Sequence, residues 1–361
     1  MGFAGVSLLN ELYKLNAMDK LEIIVVTPKT VFEFLPSVPE IISNRVRVED
    51  VAWDVANWVK SIGVQVVKDA AKTVKTSRVE LASSEPLEYD YCVICWGAEP
   101  AYYGVRGARE NSLPLYSVED ALRVRERLKN SKSVAIVGAG LVGSEAAAEI
   151  AWAARRGILA LVEKIYLVDM LELPVMVLGN RRASQRVKRV LEEMGVNLVM
   201  GRRVIEVKSE GLLLDNGELV KADTVVWCAG VKGREISVEN VSTTRHGFIR
   251  VNEYLQANRR VFVAGDATHV EHDDCVALKM VREAIRQAKL VAQNILNITR
   301  GRSLKSYKPL ITSCRPLAAV GLGPRHAVVI IGKSFSIDTR LAYWYKDRQR
   351  RRFMQMTKSH S

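Results

Sequence analysis

Residues 138–150 read GAGLVGSEAAAEI, and the chain opens on a shorter copy of the same pattern, MGFAGVSLLNE. Gly2 and Gly5 match Gly140 and Gly143, and Glu11 falls where Glu149 does. In the second copy Gly138, Gly140 and Gly143 form G-x-G-x-x-G after an apolar strand, SVAIV, and before an alanine-rich helix. The first glycine of such a turn takes a tight bend, the second lets backbone approach a pyrophosphate, and the third lets helix pack closely on strand. The helix N-terminus adds free N–H groups and the positive end of its dipole. The next strand, IYLVDM, ends in Asp169, placed to accept hydrogen bonds from a ribose 2′-hydroxyl and to repel a 2′-phosphate, so NADH is expected over NADPH. The first copy lacks the first glycine and the strand before it, and its next strand, LEIIVVTPK, has Thr27 where the acid should stand. The expectation is a misplaced start that removes the strand, rather than a chain that has lost it.

The repeat extends beyond the turns. GVQVVKDAAKTVK at 63–75 resembles GVNLVMGRRVIEVK at 195–208, and two strands end in small residues, YCVICWGAEP at 91–100 and TVVWCAGVKG at 224–233. Each half reads as strand, glycine turn, helix, strand, helix, β-meander, strand, which requires parallel sheets with crossover helices. The expected class is α/β, with two tandem Rossmann-like domains, β-meander insertions and a small C-terminal segment. The expected boundaries are 1–115 with 236–305 for the first, discontinuous domain, 116–235 for the second, and 306–361 for a segment ending in a basic, aromatic tail. The Gly- and Pro-containing stretch 98–117 is the expected linker.

Composition narrows the setting. Hydrophobic residues make up 48% and no apolar run reaches the length of a membrane-spanning helix. Five unevenly spaced cysteines give no disulfide framework, so a reducing, cytoplasmic location is expected. The net charge of +13 points to anionic partners such as cofactors, acidic lipid or nucleic acid.

RRVFVAGDA at 259–267 is a second chemical landmark: an apolar strand ending in Gly265-Asp266 sets a carboxylate beside a close backbone approach. Asp266 can accept hydrogen bonds from a flavin's ribityl hydroxyls, and a helix starting near Cys275 would aim its dipole at the flavin's pyrimidine end. With the tandem Rossmann halves, this terminal G-D resembles the two-dinucleotide-binding-domain flavoproteins. VVWCAGVKG, SVEDALRVRERL (117–128) and FEFLPSVPEI (32–41) look most like type II NADH dehydrogenases and their sulfide:quinone reductase relatives. The resemblance implies FAD in the first domain, lined by Gly2, Gly5, Pro39, Gly97, Gly265 and Asp266. It implies NADH in the second, lined by Gly138, Gly140, Gly143, Glu145, Asp169 and Gly230. Hydride would pass from NADH to flavin and electrons on to a quinone or another two-electron acceptor. A homodimer, peripheral on the inner face of the cell membrane, is expected.

Departures qualify the acceptor. The type II enzymes carry an Ala-Gln pair facing the quinone, and alignment puts Val281 and Arg282 there. Cys92 and Cys95 spell C-x-x-C, but a strand points them to opposite faces, so they read as structural thiols. Cys314 lies where sulfide:quinone reductases carry a reactive cysteine and is a possible catalytic thiol, although Ser117 and the Gly138 turn stand where its partner is expected. His269, His272, Asp273 and Cys275 lack ligand spacing and read as a solvated loop, so no metal is expected, and Cys228 reads as a filler at a strand end. The tail 339–358 joins Tyr343, Trp344, Tyr345, Phe353 and Met356 to Arg348, Arg350, Arg351 and Arg352. It suits an interfacial helix on anionic lipid. Two alternatives are a soluble NADH-dependent reductase of a sulfur or protein acceptor, and a non-enzymatic NAD(H) module with a basic nucleic-acid surface. The absence of a helix-turn-helix or zinc-finger pattern disfavours the last.

Overall fold

The computed structural model describes residues 1–339 and 341–358, without the side chains of residues 342, 343 and 358. Part of the expected tail, including the Tyr343 side chain, therefore lies outside the described residues.

The first glycine turn opens directly into α1 (Phe3–Lys14), with Gly2 as an extended N-cap that carries no side-chain cap. β1 (Ile24–Val26), the short α2 (Pro39–Ile42) and β2 (Gln65–Val67) follow, and β1 pairs with β2 in parallel, Ile24 opposite Gln65. An antiparallel meander (Ala71–Val74, Arg78–Leu81, Leu87–Glu88) leads to β3 (Cys92–Ile94).

The second half is a complete doubly wound unit. It comprises β4 (Leu113–Pro114), α3 (Val118–Leu128), β5 (Ser133–Val137), α4 (Leu141–Arg155), β6 (Lys164–Asp169), α5 (Arg181–Glu193), β7 (Val196–Met200) and β8 (Thr224–Trp227). The strands form one parallel sheet in the order β4-β8-β5-β6-β7, with β5 at its centre. Val134, Ile136, Leu167, Val168 and Val226 of its strands are buried, as continuous apolar runs covered by helices on both faces must be. Its helices carry their own start signals: Ser117 accepts the Asp120 N–H, and Asn180 accepts the Ala183 N–H.

The chain then returns to the first half. β9 (Val261–Val263) pairs with β3 in parallel, and a tight hairpin of β10 (Glu271–His272) and β11 (Cys275–Val276) precedes α6 (Val281–Thr299), which packs on α1. The helix expected near Cys275 thus starts later, because residues 275–278 are drawn into extended backbone contacts with 311–313. A three-stranded antiparallel sheet, β12 (Leu317–Gly321), β13 (Ala327–Ile331) and β14 (Phe335–Asp338), packs on α4 and α5 of the second half. α7 (Leu341–Lys358) closes the structure, with Phe353 against Phe3 and Phe32.

The α/β class with two Rossmann-type halves is observed. The halves differ in one respect: β6 and β8 flank β5, whereas β1 and β3, their counterparts, have no strand between them among the described residues. The strands β1, β2, β3 and β9 of the first half therefore stand as two separate pairs, β1–β2 and β3–β9, and Ile24, Val25 and Val26 are only half-buried.

The expectation of no disulfide is overturned. Cys275 and Cys314 are bonded, with their Cα atoms 5.7 Å apart, while Cys92, Cys95 and Cys228 are free. Spacing could not reveal this pair, because the hairpin and the 311–315 segment meet only in the folded chain. Cys314 therefore stands as one half of a disulfide and not as a free thiol.

Candidate functional site

Two cradles lie at the glycine turns. In the second, Gly138 has φ +98°, and a Cβ on it would collide with the backbone of Cys228 and Ala229. A Cβ on Gly143 would overlap the Gly138 carbonyl oxygen, so helix and turn touch through glycine alone. A Cβ on Gly140 meets nothing within 4 Å, and α4 starts there without a side-chain cap. Open space over uncapped N–H groups is the geometry that a pyrophosphate fits. Asp169 braces the turn: its Oδ2 accepts the Ala139 N–H at 2.6 Å and its Oδ1 the Leu171 N–H at 2.8 Å. Gly230, at φ +114° beyond β8, lies against the Tyr103 hydroxyl.

The first cradle repeats the outline with looser walls. A Cβ on Gly2 also meets nothing within 4 Å. Gly5 has the Cys95 Cβ at 3.8 Å, an ordinary contact, and Gly265, at φ +82°, brings its backbone against Ala4 in the first turn of α1. The Gly265 N–H donates to Gln287 Oε1 at 2.8 Å, which ties β9 to α6. Asp266 lies beside Tyr116 and Lys279, and burial raises its carboxyl above the usual range against the pull of Lys279. Burial also brings the Lys279 ammonium down to about 8, opposed by Asp266. That amine donates to the Thr268 carbonyl and stands 4.1 Å from the centre of the Phe248 ring. Gly97, at φ +71°, faces the Tyr116 hydroxyl. The structure therefore brings Gly2, Gly5 and Gly265 to one spot and Gly97 and Asp266 to either side of Tyr116. Sequence reasoning missed Tyr116, Lys279 and Gln287, which carry no motif.

Glu145 and Pro39 belong to a different neighbourhood. The Glu145 side chain, 13% exposed, accepts the Gly321 N–H at 2.8 Å and lies 3.7 Å from Lys346 of α7. Burial pushes its carboxyl up to about 7, with Lys346 opposing. Pro39 opens α2, whose Glu40 meets the same Lys346 at 2.6 Å. Arg45 holds Glu149 in a fork of two 2.8 Å hydrogen bonds, and Ser43 donates to the same carboxylate. Three carboxylates and two cations from both halves and α7 thus form one shielded network. Of its members the sequence singled out Glu149, as a repeat position without a partner, and Glu145, as an expected NADH contact, which here turns to Gly321 and Lys346 instead.

The free thiols are half-buried, and burial pushes Cys92 and Cys228 up to about 12, while burial with the neighbouring Cys92 does the same for Cys95, which disfavours the thiolate.

A family profile described as pyridine nucleotide-disulphide oxidoreductase matches residues 1–289. An alternative NAD(P)H-ubiquinone oxidoreductase C1 of Arabidopsis thaliana is 28% identical over 338 residues, covering 80% of this chain and 63% of the relative. The chain thus spans less than two thirds of that relative's length. A type II NADH:quinone oxidoreductase of Staphylococcus saprophyticus is 22% identical, covering 95% of this chain and 93% of the relative. The sulfide:quinone oxidoreductase structure from Aquifex aeolicus superposes with a TM-score of 0.85 at 18% identity, covering 100% of this chain and 90% of that one. At that identity the likeness speaks for the fold.

Proposed function

The chain belongs to the pyridine nucleotide-disulphide oxidoreductase family, and from that premise we propose that it is an FAD-dependent NADH dehydrogenase that reduces a quinone. The observation that supports this reading most is the pair of glycine-capped helix starts, each opening onto free space with uncapped N–H groups. Bound FAD supplies the two-electron centre between donor and acceptor. The protein's part is geometry and electrostatics, with no acid–base triad required.

In the second half, Gly138, Gly140 and Gly143 cradle the NADH pyrophosphate, Asp169 accepts from the ribose, and Gly230 leaves room for the dinucleotide. In the first half, Gly2 and Gly5 hold the FAD pyrophosphate at α1, Gly97 and Gly265 admit its backbone-close portions, and Asp266 accepts from the ribityl hydroxyls. Pro39, which the resemblance sets near the flavin ring, opens α2 beside the Glu40–Lys346 pair instead. Lys279, pinned between Asp266 and the Thr268 carbonyl, keeps a cation beside that carboxylate.

The outer face of α7 supports a peripheral position on anionic lipid at the inner face of the cell membrane. Trp344 and Tyr345 are exposed beside Arg348, Arg351 and Arg352, with the Arg348 guanidinium 5.3 Å from the Trp344 ring. No helix among the described residues is long and apolar enough to cross a membrane. Val281 and Arg282, standing where a quinone-facing Ala-Gln pair is expected, favour a second reading with a sulfur compound or a protein as acceptor.

The test is direct. Flavin-loaded full-length protein is assayed for NADH oxidation with a panel of quinones, disulfides and a ferredoxin. Quinone turnover supports the first reading, turnover with disulfide or ferredoxin alone supports the second, and no NADH oxidation with any acceptor removes both.

A further inference from the structure

We infer that the Cys275–Cys314 disulfide is a thiol-exchange site, entered at Cys314 by an external dithiol, and that its opening releases the 271–276 hairpin from the 311–315 segment. The two sulfurs are not equivalent. Cys314 is exposed, and so are its neighbours Ser313 and Arg315. Arg315 has no acidic partner among the described residues, so an approaching thiolate meets a free cation. Cys275 is half-buried and follows the exposed Asp273 and Asp274, which repel a thiolate. Access and charge both direct attack to Cys314.

The bridge spans 39 positions and ties two segments otherwise joined by a few short contacts. The Val276 N–H donates to Ser313 Oγ, the Ser313 N–H to the Val276 carbonyl, and the Leu278 N–H to the Ile311 carbonyl. At the hairpin tip, Asp273 and Asp274 sit at φ +50° and +57°, a left-handed pair that favours glycine or asparagine and costs non-glycine residues free energy. A hairpin with a costly turn and few anchors opens once its covalent tie is cut. Asp266 precedes this hairpin and Lys279 follows it in the chain, and the two interact at the wall of the first cradle, so release of the hairpin frees the segment that carries Lys279 there.

The exchange balances. A thiolate of the dithiol attacks Cys314 Sγ, the Cys275–Cys314 bond breaks, and Cys275 leaves as a thiolate that takes a proton. The second thiol of the reagent attacks its own sulfur in the mixed disulfide, and Cys314 leaves and is protonated. Two electrons pass to the protein, and the dithiol becomes a disulfide.

The experiment uses the native full-length chain, as purified under non-reducing conditions, with millimolar dithiothreitol as the probe, alkylation and peptide mass mapping as the readout, and limited proteolysis in parallel. The expected result is no labelling of Cys275 and Cys314 before reduction, then labelling of both under native conditions. A protease cut within 271–276 should rise at least about tenfold in rate, the range of local opening equilibria. Diamide treatment should reverse both changes. The Cys275→Ser/Cys314→Ser double variant should show the fast cut without reductant. Thiols released only on denaturation, or released with no change in cleavage of the hairpin, overturn the inference. Cys275 and Cys314 already free, with no bond formed on oxidation, overturn it as well. The readouts do not depend on activity, so a failure here leaves the proposed enzyme function standing.

Discussion

Gly143 and Gly5 occupy the same place in the two repeats, and their surroundings differ. A side chain on Gly143 overlaps the carbonyl oxygen of Gly138, whereas one on Gly5 finds Cys95 at normal contact distance. The acid that the two helices share follows the same division. Glu149 is buried and held by Arg45 and Ser43, whereas its counterpart Glu11 faces Lys289 and Gln293 of α6 at 4.0 and 3.5 Å. In the second half the central strand β5 presses the turn onto α4, and the helix's far face is sealed by α2. In the first half, β1 and β3 have no strand between them, and α1 rests on α6 instead. Conserving a glycine pattern and being compelled to have it are separate matters, and the neighbouring strand decides which applies.

The largest expected effect tests the acids. Arg45→Met leaves Glu149 buried beside Glu40 without its cation and should destabilise the fold by about 3–5 kcal/mol. Lys289→Met removes an exposed cation 4.0 Å from Glu11 and should cost less than about 1 kcal/mol. Chemical denaturation of both variants checks the pair, and equal costs would break the comparison.

A pH series comes next. The native carboxyl of Glu145 titrates near 7, above its ordinary 4.5, so the native state holds a proton more tightly than the unfolded chain does. The contribution is therefore fully present below about 4.5 and is lost as pH rises through about 7, amounting to at most about 3 kcal/mol. Ser7 stands at the matching place in the first repeat and adds no slope. Stability of the wild type minus that of Glu145→Gln, followed from pH 4 to pH 8, should fall, and a flat difference would sink the assignment.

Glycine replacement gives a smaller and opposite-signed pair. Gly143→Ala should destabilise by about 1–3 kcal/mol through overlap with the turn. Gly5→Ala, inside α1 with room for its methyl group, should be neutral or stabilising by up to about 1 kcal/mol. Thermal unfolding of the two variants reads both signs.

The last test concerns binding. Asp169→Ala should weaken NADH by about 1–3 kcal/mol and narrow the expected preference over NADPH, because the proposed ribose contact is removed together with the brace to Ala139. Thr27→Asp, at the corresponding strand end of the first half, should leave NADH affinity unchanged. Calorimetric titration separates these, and an unaltered NADH/NADPH ratio in Asp169→Ala would show that this carboxylate is not at the ribose.

The sequence carried the second half almost entirely. A buried strand, three glycines and an acid at the next strand end are local signals, and each is fixed by sterics or by hydrogen bonds within a few residues. Gly2, Gly265 and Asp266 were legible for the same reason. The partners of those residues were not. Lys346 reads as one more cation in a basic tail, yet its ammonium lies among carboxylates from α2 and α4. Glu145 follows the glycine motif by two positions and still turns from the cradle toward Gly321. Cys275 and Cys314 show no spacing rule because nothing local joins them. Burial and long-range pairing decide such contacts, and periodicity holds no record of them.

The packing of Phe353, flat on Phe32 and edge-on to Phe3, has a consequence for how the molecule is made. Residue 3 meets residue 353, so an aromatic patch exposed early in translation waits for nearly the whole chain before it is covered. Contacts of such long sequence separation form late, after local helices and hairpins have settled. During that interval the growing polypeptide carries an uncovered greasy face beside unpaired strand edges, the condition under which nascent chains stick to one another or recruit chaperones. Synthesis rate and holdase supply, more than equilibrium stability, should set how much of this protein a cell accumulates.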